Sequence, residues 1–122
     1  MSHSFLVYSA PAETAQGLKA LSEAERLLNT GETIEQVFFY GPAVSYASCF
    51  LEFPSGLPNM QQRWLDLAQQ YQFPLIVCAT AGNQYGLQAE LPPQGNLQSG
   101  FNAAGLTEFI TSLARSSALD QF

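Results

Sequence analysis

The sequence predicts an α/β fold in which short buried strands alternate with amphipathic helices and pair in parallel. Three observations predict it. Apolar runs of strand length occur at residues 5–8, at 34–40, where Val37 to Tyr40 are unbroken, and at 73–79. Between them lie segments whose apolar residues recur every three or four positions, the period of a helix face. Gly and Pro punctuate the junctions. Strands separated by helices imply crossover connections and therefore a parallel sheet.

The elements follow in order. Phe5-Leu6-Val7-Tyr8, between Ser4 and Ser9-Ala10-Pro11, suits a strand buried on both faces and followed by a turn. Residues 13–29 carry Gly17, Leu18, Leu21, Ala24 and Leu28 at helical spacing, and Gly31 stands where a helix stop belongs. Ile34 opens a second strand that ends in Val37-Phe38-Phe39-Tyr40 before Gly41-Pro42, which completes a βαβ unit. Residues 43–58 mix Tyr46, Cys49, Phe50 and Phe53 with breakers, giving a short helix and a loop; Cys49 falls in a packed helix turn. Asn59 caps a second long helix with Met60, Trp64, Leu67, Ala68 and Tyr71 on one face. Residues 73–79 form the third strand, with Pro74 near its start, where a missing amide costs least, and Cys78 at its carboxyl end. Thr80 to Gly86 turn the chain and begin a helix. Residues 91–95 are an irregular linker, residues 102–115 a last helix around Leu106, Phe109, Ile110 and Leu113, and residues 118–122 a short terminal strand.

Composition narrows the function. A chain of 122 residues fits one domain, residues 1–122, because two halves would each bury too little core. Only 11% of residues are charged against 47% hydrophobic, so some apolar surface is expected to meet partner chains. Ten acids against four bases give a net charge of −6, which repels a phosphate backbone and disfavours direct nucleic-acid binding. No apolar run spans a bilayer and the start lacks a signal-peptide pattern, so the expected location is cytoplasmic. His3 is the only histidine and no Cys-x-x-Cys occurs, so no metal site and no Cys-His protease scheme is expected. Cys49 and Cys78 are read as free thiols.

Cys78 has the address of an active residue, since open α/β sheets collect their chemistry at the carboxyl ends of strands. A thiol acts as thiolate, so a working Cys78 must reach solvent or a docked chain and ionise there. The competing reading is a core thiol, because cysteine is among the most buried residue types. Tyr8, Phe39, Tyr40 and Trp64 are read as core, with lining of a pocket or a subunit contact as the alternative, and Arg26, Lys19, Arg63 and Arg115 as solvated helix charges. Ser9 to Thr14 is a poor phosphate cradle, lacking glycines and carrying Glu13, so no nucleotide or flavin cofactor is expected. Asn96, Gln98 and Ser99 are turn formers with the option of orienting the cysteine loop.

Val37-Phe38-Phe39-Tyr40, Leu75-Ile76-Val77-Cys78-Ala79, Asn96-Leu97-Gln98-Ser99-Gly100-Phe101, Gly105-Leu106 and the ending Gln121-Phe122 together resemble the DsrE/TusD family, in the family's order over nearly the whole chain. The resemblance implies a three-layer α/β/α sandwich on a five-stranded, mainly parallel sheet. It implies a sulfurtransferase whose sulfur is carried as a persulfide on Cys78, with no cofactor and no metal. It further implies TusB-like and TusC-like subunits in a heterohexamer with two copies of each, a TusA-like sulfur donor and a TusE-like acceptor, serving 2-thiolation of the tRNA wobble uridine. The alternatives are a DsrE-like subunit of a sulfur-oxidation complex and a non-catalytic assembly subunit in which Cys78 is inert. The chain departs from the family pattern in one respect: no basic residue follows Cys78 through Tyr85. Activation would then rest on helix amides, worth about 0.3–2 kcal/mol to a nearby anion, or on charge supplied by a partner.

Overall fold

The computed structural model describes residues 1–122 and holds a five-stranded parallel sheet in the order β4-β3-β2-β1-β5. The strands are β1 (Ser2–Val7), β2 (Thr33–Phe39), β3 (Leu75–Cys78), β4 (Phe101–Ala104) and β5 (Ala118–Gln121). The helices are α1 (Thr14–Asn29), α2 (Met60–Tyr71), α3 (Ala79–Gln84) and α4 (Leu106–Leu113), with a 3₁₀ helix at Gly41–Ala47. From β1 to β4 the chain steps across the sheet in one direction, so right-handed crossovers keep the intervening helices on one face. The return from β4 to β5 runs the other way and puts α4 on the opposite face.

Strand alternation sorts the side chains accordingly. Phe5 and Phe39 meet Trp64 of α2 edge-on, with ring centroids 6.4 and 6.0 Å apart, and Phe39 also packs on Tyr46 and Phe101. This is the densely filled side of the core. On the other face Phe38 stacks on Phe109 of α4 at 4.6 Å, while the buried Gln36 amide donates to Ser4 Oγ and to the Phe109 carbonyl. One eight-residue helix covers only part of that face, so Leu119 of β5 stays exposed, as do Leu106 and Ile110 on the outer side of α4 itself.

Local chemistry explains the element ends. α1 closes in a Schellman turn: Gly31 takes φ +86°, its N–H donates to the Leu28 carbonyl, and the Glu32 N–H donates to that of Leu27. The Asn59 side chain accepts from the Gln62 amide and caps α2. Gly17 of α1 faces α2 so closely that a Cβ there would lie 2.5 Å from Met60 Sδ and 2.6 Å from the Tyr46 hydroxyl.

Three sequence expectations change. The last helix begins at Leu106 and not at 102, because residues 101–104 are the edge strand β4, whose short apolar stretch carries no helical period. The buried side of α2 is Met60, Gln61 and Trp64, while Tyr71 is exposed. Gln61 is buried because its amide donates to the carbonyls of Tyr46 and Ser48, holding the end of the 3₁₀ helix. Cys49 lies just past that helix, half-buried, its N–H donating to the Asn96 carbonyl.

Candidate functional site

Cys78 is the last residue of β3 and the N-cap of α3, so the strand ends and the helix starts at the same side chain. Strand β4 pairs alongside it, with Cys78 opposite Ala104. Cys78 as a residue is 4% exposed and borders a half-open cleft of about 290 Å³ lined by Tyr40, Thr80, Ala81, Gln84 and Leu106. Access to the sulfur is therefore a narrow window onto a cleft, tighter than an open strand mouth would give. The lining holds no charged side chain. Any stabilisation of a sulfur anion within this chain falls to polar groups: the hydroxyls of Tyr40 and Thr80, the Gln84 amide, and the first-turn amides of α3, which by rule lack intrahelical partners.

Each neighbour has a positional reason to be there. Tyr40 directly follows β2, adjacent to β3 in the sheet, and Leu106 opens α4 directly after β4 on the other side. The rim continues through Tyr8, whose ring lies 6.1 Å from that of Tyr40. Tyr8 and Tyr40 are 55% and 37% exposed, which corrects the core reading for this pair, while Phe39 and Trp64 are fully buried as expected. Each tyrosine stands one residue past the end of its strand, its amide still donating across the sheet, Tyr8 to the Phe122 carbonyl and Tyr40 to that of Val7.

Gly41 makes this rim possible. It adopts φ +58°, and a Cβ there would fall 2.3 Å from the Tyr8 ring. Gly41→Ala is expected to lower stability by more than about 1 kcal/mol, combining left-handed backbone strain with a displaced Tyr8. Urea unfolding followed by far-UV circular dichroism measures it.

Asn96 shows what the polar loop residues do. Its side chain accepts from the Gln88 amide and donates to the Gly86 carbonyl, and its own carbonyl receives Cys49 N–H, while Gln98 N–H donates to Ala47. The segment thus pins the chain leaving α3 to the end of the 3₁₀ helix. Cys49 does not line the cleft. Arg26, Arg63 and Arg115 form surface ion pairs with Glu23, Glu25 and Glu35. A larger groove of about 660 Å³ lies between α2 and the start of β4, lined by Gln62, Gln69, Gln72, Gln98 and Asn102 among others; carboxamides bind but supply neither nucleophile nor acid. Of the two, only the Cys78 cleft contains a reactive atom.

Of these residues, sequence reasoning put Cys78 at the end of the third strand, where it lies, named Tyr40 as core with pocket lining as the option, and passed over Gln84 and Leu106. For Tyr40 and Leu106 the signal was positional, since they follow the carboxyl ends of β2 and β4, whereas Gln84 reaches the cleft from the far end of α3. None of the helices is long and apolar enough to cross a membrane.

The DsrE/DsrF-like family model matches residues 1–120. The chain is 38% identical to the sulfurtransferase TusD homolog of Pasteurella multocida (strain Pm70) over 110 residues, covering 86% of this chain and 87% of that one. It is 32% identical to the sulfurtransferase TusD homolog of Aliivibrio fischeri (strain ATCC 700601 / ES114) over 124 residues, covering 96% and 95%. The crystal structure of the ychN protein from E. coli superposes with a TM-score of 0.81 at 19% identity, covering 100% of this chain and 99% of that one, a likeness of fold. With the sequence match covering residues 1–120 and so reaching into all five strands, and with the same fold recurring in the ychN protein, the chain belongs to the DsrE/DsrF-like family.

Proposed function

We propose that this chain is a sulfurtransferase subunit that relays sulfur as a persulfide on Cys78 between carrier proteins, serving 2-thiolation of the tRNA wobble uridine. The observation that carries the reading is the position of Cys78 at the carboxyl end of β3, opening on a cleft of about 290 Å³. Sulfurtransferase is the name of the relatives aligned above, and a nucleophilic thiol is the group that chemistry requires.

The transfer balances without an added oxidant. The Cys78 thiolate attacks the outer sulfur of the donor persulfide; the Sγ–S bond forms, the donor S–S bond breaks, and the donor leaves as thiolate. Delivery to the acceptor repeats the step with Cys78 as leaving group. Neither step needs a histidine base, provided the attacking thiol is ionised.

The surroundings support protein thiols as exchange partners. With a net charge of −6 the chain is poorly suited to hold tRNA itself, so transfer to RNA is assigned to a later protein. Tyr8, Tyr40, Leu106 and Ile110 leave an apolar rim beside the cleft that neighbouring subunits would cover. TusB-like and TusC-like subunits are the proposed neighbours, a TusA-like protein the donor and a TusE-like protein the acceptor. A partner also has room to bring the positive charge that the cleft lacks.

The 4% exposure of Cys78 favours one other reading, an assembly subunit with an inert thiol. Peptide mapping after incubation with a persulfide-bearing carrier separates the two. Sulfur on the peptide containing Cys78, at about 32 Da per chain, is the expected result. Sulfur on Cys49 alone, or on neither in the assembled complex, removes the proposal.

A further inference from the structure

Far from the cleft, His3 of β1 is buried, and both of its ring nitrogens lie against carboxylates. Nδ1 is 2.7 Å from Asp120 Oδ2 and Nε2 is 2.7 Å from Glu32 Oε1. A neutral imidazole has one N–H and satisfies one carboxylate; two such contacts require the doubly protonated ring. The partners come from separate elements. Glu32 is delivered by the Schellman turn that ends α1, and Asp120 by β5, whose Ala118 pairs with His3 in register.

His3–Asp120 is the one ion pair on β5; the rest of its hold is hydrogen bonds to β1 and its flanks, among them Ser117 N–H to the Ser2 carbonyl, Ser4 to Ser116 and Phe122 N–H to the Leu6 carbonyl. β5 is a four-residue edge strand paired only with β1, and its Leu119 is 38% exposed. Beyond the ladder, Phe122 packs on Phe5 at 5.1 Å, and its carbonyl accepts from the amides of Tyr8 and Ser9. What holds β5 therefore also holds Tyr8, which stands beside Tyr40 on the wall of the Cys78 cleft.

We propose that the imidazolium of His3 is a pH-released pin on β5: losing its proton strands one of the two carboxylates, and the strand then opens from β1 together with the support it gives Tyr8. The device is independent of what Cys78 does.

The surrounding charges fix the direction. Glu23 and Arg26 of α1 pair with each other nearby, the Met1 ammonium acts on Glu32, and on β2 Glu35 is paired with Arg115. Burial is the largest single influence on His3 and lowers its pKa, but the hydrogen bonds and charges of Glu32 and Asp120 together outweigh it and raise the pKa above 6.5. The imidazolium thus stabilises the fold fully below 6.5 and stops doing so as pH rises through the elevated folded value. The hydrogen bond to His3 is the main cause holding the Glu32 carboxyl below 4.5, so its contribution is present above 4.5 and fades as pH falls through the lowered folded value.

The test follows the single histidine by NMR in the wild-type chain while amide exchange, corrected for intrinsic rates, reports on residues 117–122. Both ring nitrogens should be protonated at pH 6, with a midpoint above 6.5. Across that midpoint β5 protection should fall about tenfold for each unit by which folding has raised the pKa, with β2 and β3 unchanged. Glu32→Gln should move the midpoint down and carry the opening of β5 with it. A neutral ring at pH 6, β5 protection that stays level while His3 titrates, or a midpoint that moves without the opening would each overturn the pin.

Discussion

Cys78→Ser is expected to abolish sulfur uptake, with transfer falling to background, while the chain folds and assembles as before. Serine keeps the size of the side chain but cannot form a stable S–S bond, so the persulfide has no atom to sit on. The substitution is also structurally mild for a reason specific to this position. Cys78 is the N-cap of α3, and its side chain makes no cap hydrogen bond. A serine hydroxyl there can accept from a first-turn amide, a contact worth about 0.5–2 kcal/mol, which offsets the cost of burying it. Cys78→Ala, with neither cap nor sulfur, should lose transfer equally and fold less well. The measurements are intact mass after exposure to the persulfide donor and urea unfolding of each variant. Wild-type levels of adduct on the serine variant would show that the sulfur rides elsewhere, and Cys49 would then be the thiol to follow.

The part of this that the sequence made legible is the part written in periodicity. Val37 to Tyr40 and Leu75 to Cys78 read as buried strands because their apolar runs have strand length, and Gly31 and Asn59 marked helix ends through backbone and side-chain chemistry that acts locally. Strand β4 was hidden because Phe101-Asn102-Ala103-Ala104 is four residues long and only Gly105, the N-cap, separates it from the apolar helix that follows. The place of Cys78 was legible because the end of a strand is itself a sequence feature. The cleft around it was not, since Tyr40 and Leu106 converge on Cys78 only after β2, β3 and β4 pair, and pairing order is set by long-range packing. The same holds for His3, Glu32 and Asp120: parallel pairing of β1 with β5 brings position 120 beside position 3, across 117 residues of chain.

Trp64→Ala is expected to cost about 3–5 kcal/mol of stability. Trp64 is fully buried and is the contact through which α2 reaches two strands at once, with Phe5 and Phe39 both meeting it edge-on. Removing the indole forfeits the transfer energy, leaves a cavity that neighbours in a close-packed interior cannot fill, and breaks two aromatic pairs worth about 0.5–1.5 kcal/mol each. Against a total stability of about 5–15 kcal/mol for such a domain, the variant should be partly unfolded at 37 °C. Because Trp64 is the only tryptophan, unfolding has to be followed by far-UV circular dichroism; the urea midpoint should drop with the slope unchanged. Loss of sulfur transfer in this variant would then arise from unfolding alone. Trp64→Phe distinguishes the cases: it keeps one ring in the pocket, should cost less than the alanine variant, and should transfer sulfur at the wild-type rate per folded chain. A phenylalanine variant that is fully folded yet inactive would mean that Trp64 acts on the cleft through Phe39 and Tyr40, and an alanine variant within 1 kcal/mol of wild type would mean that α2 is held by something other than this ring.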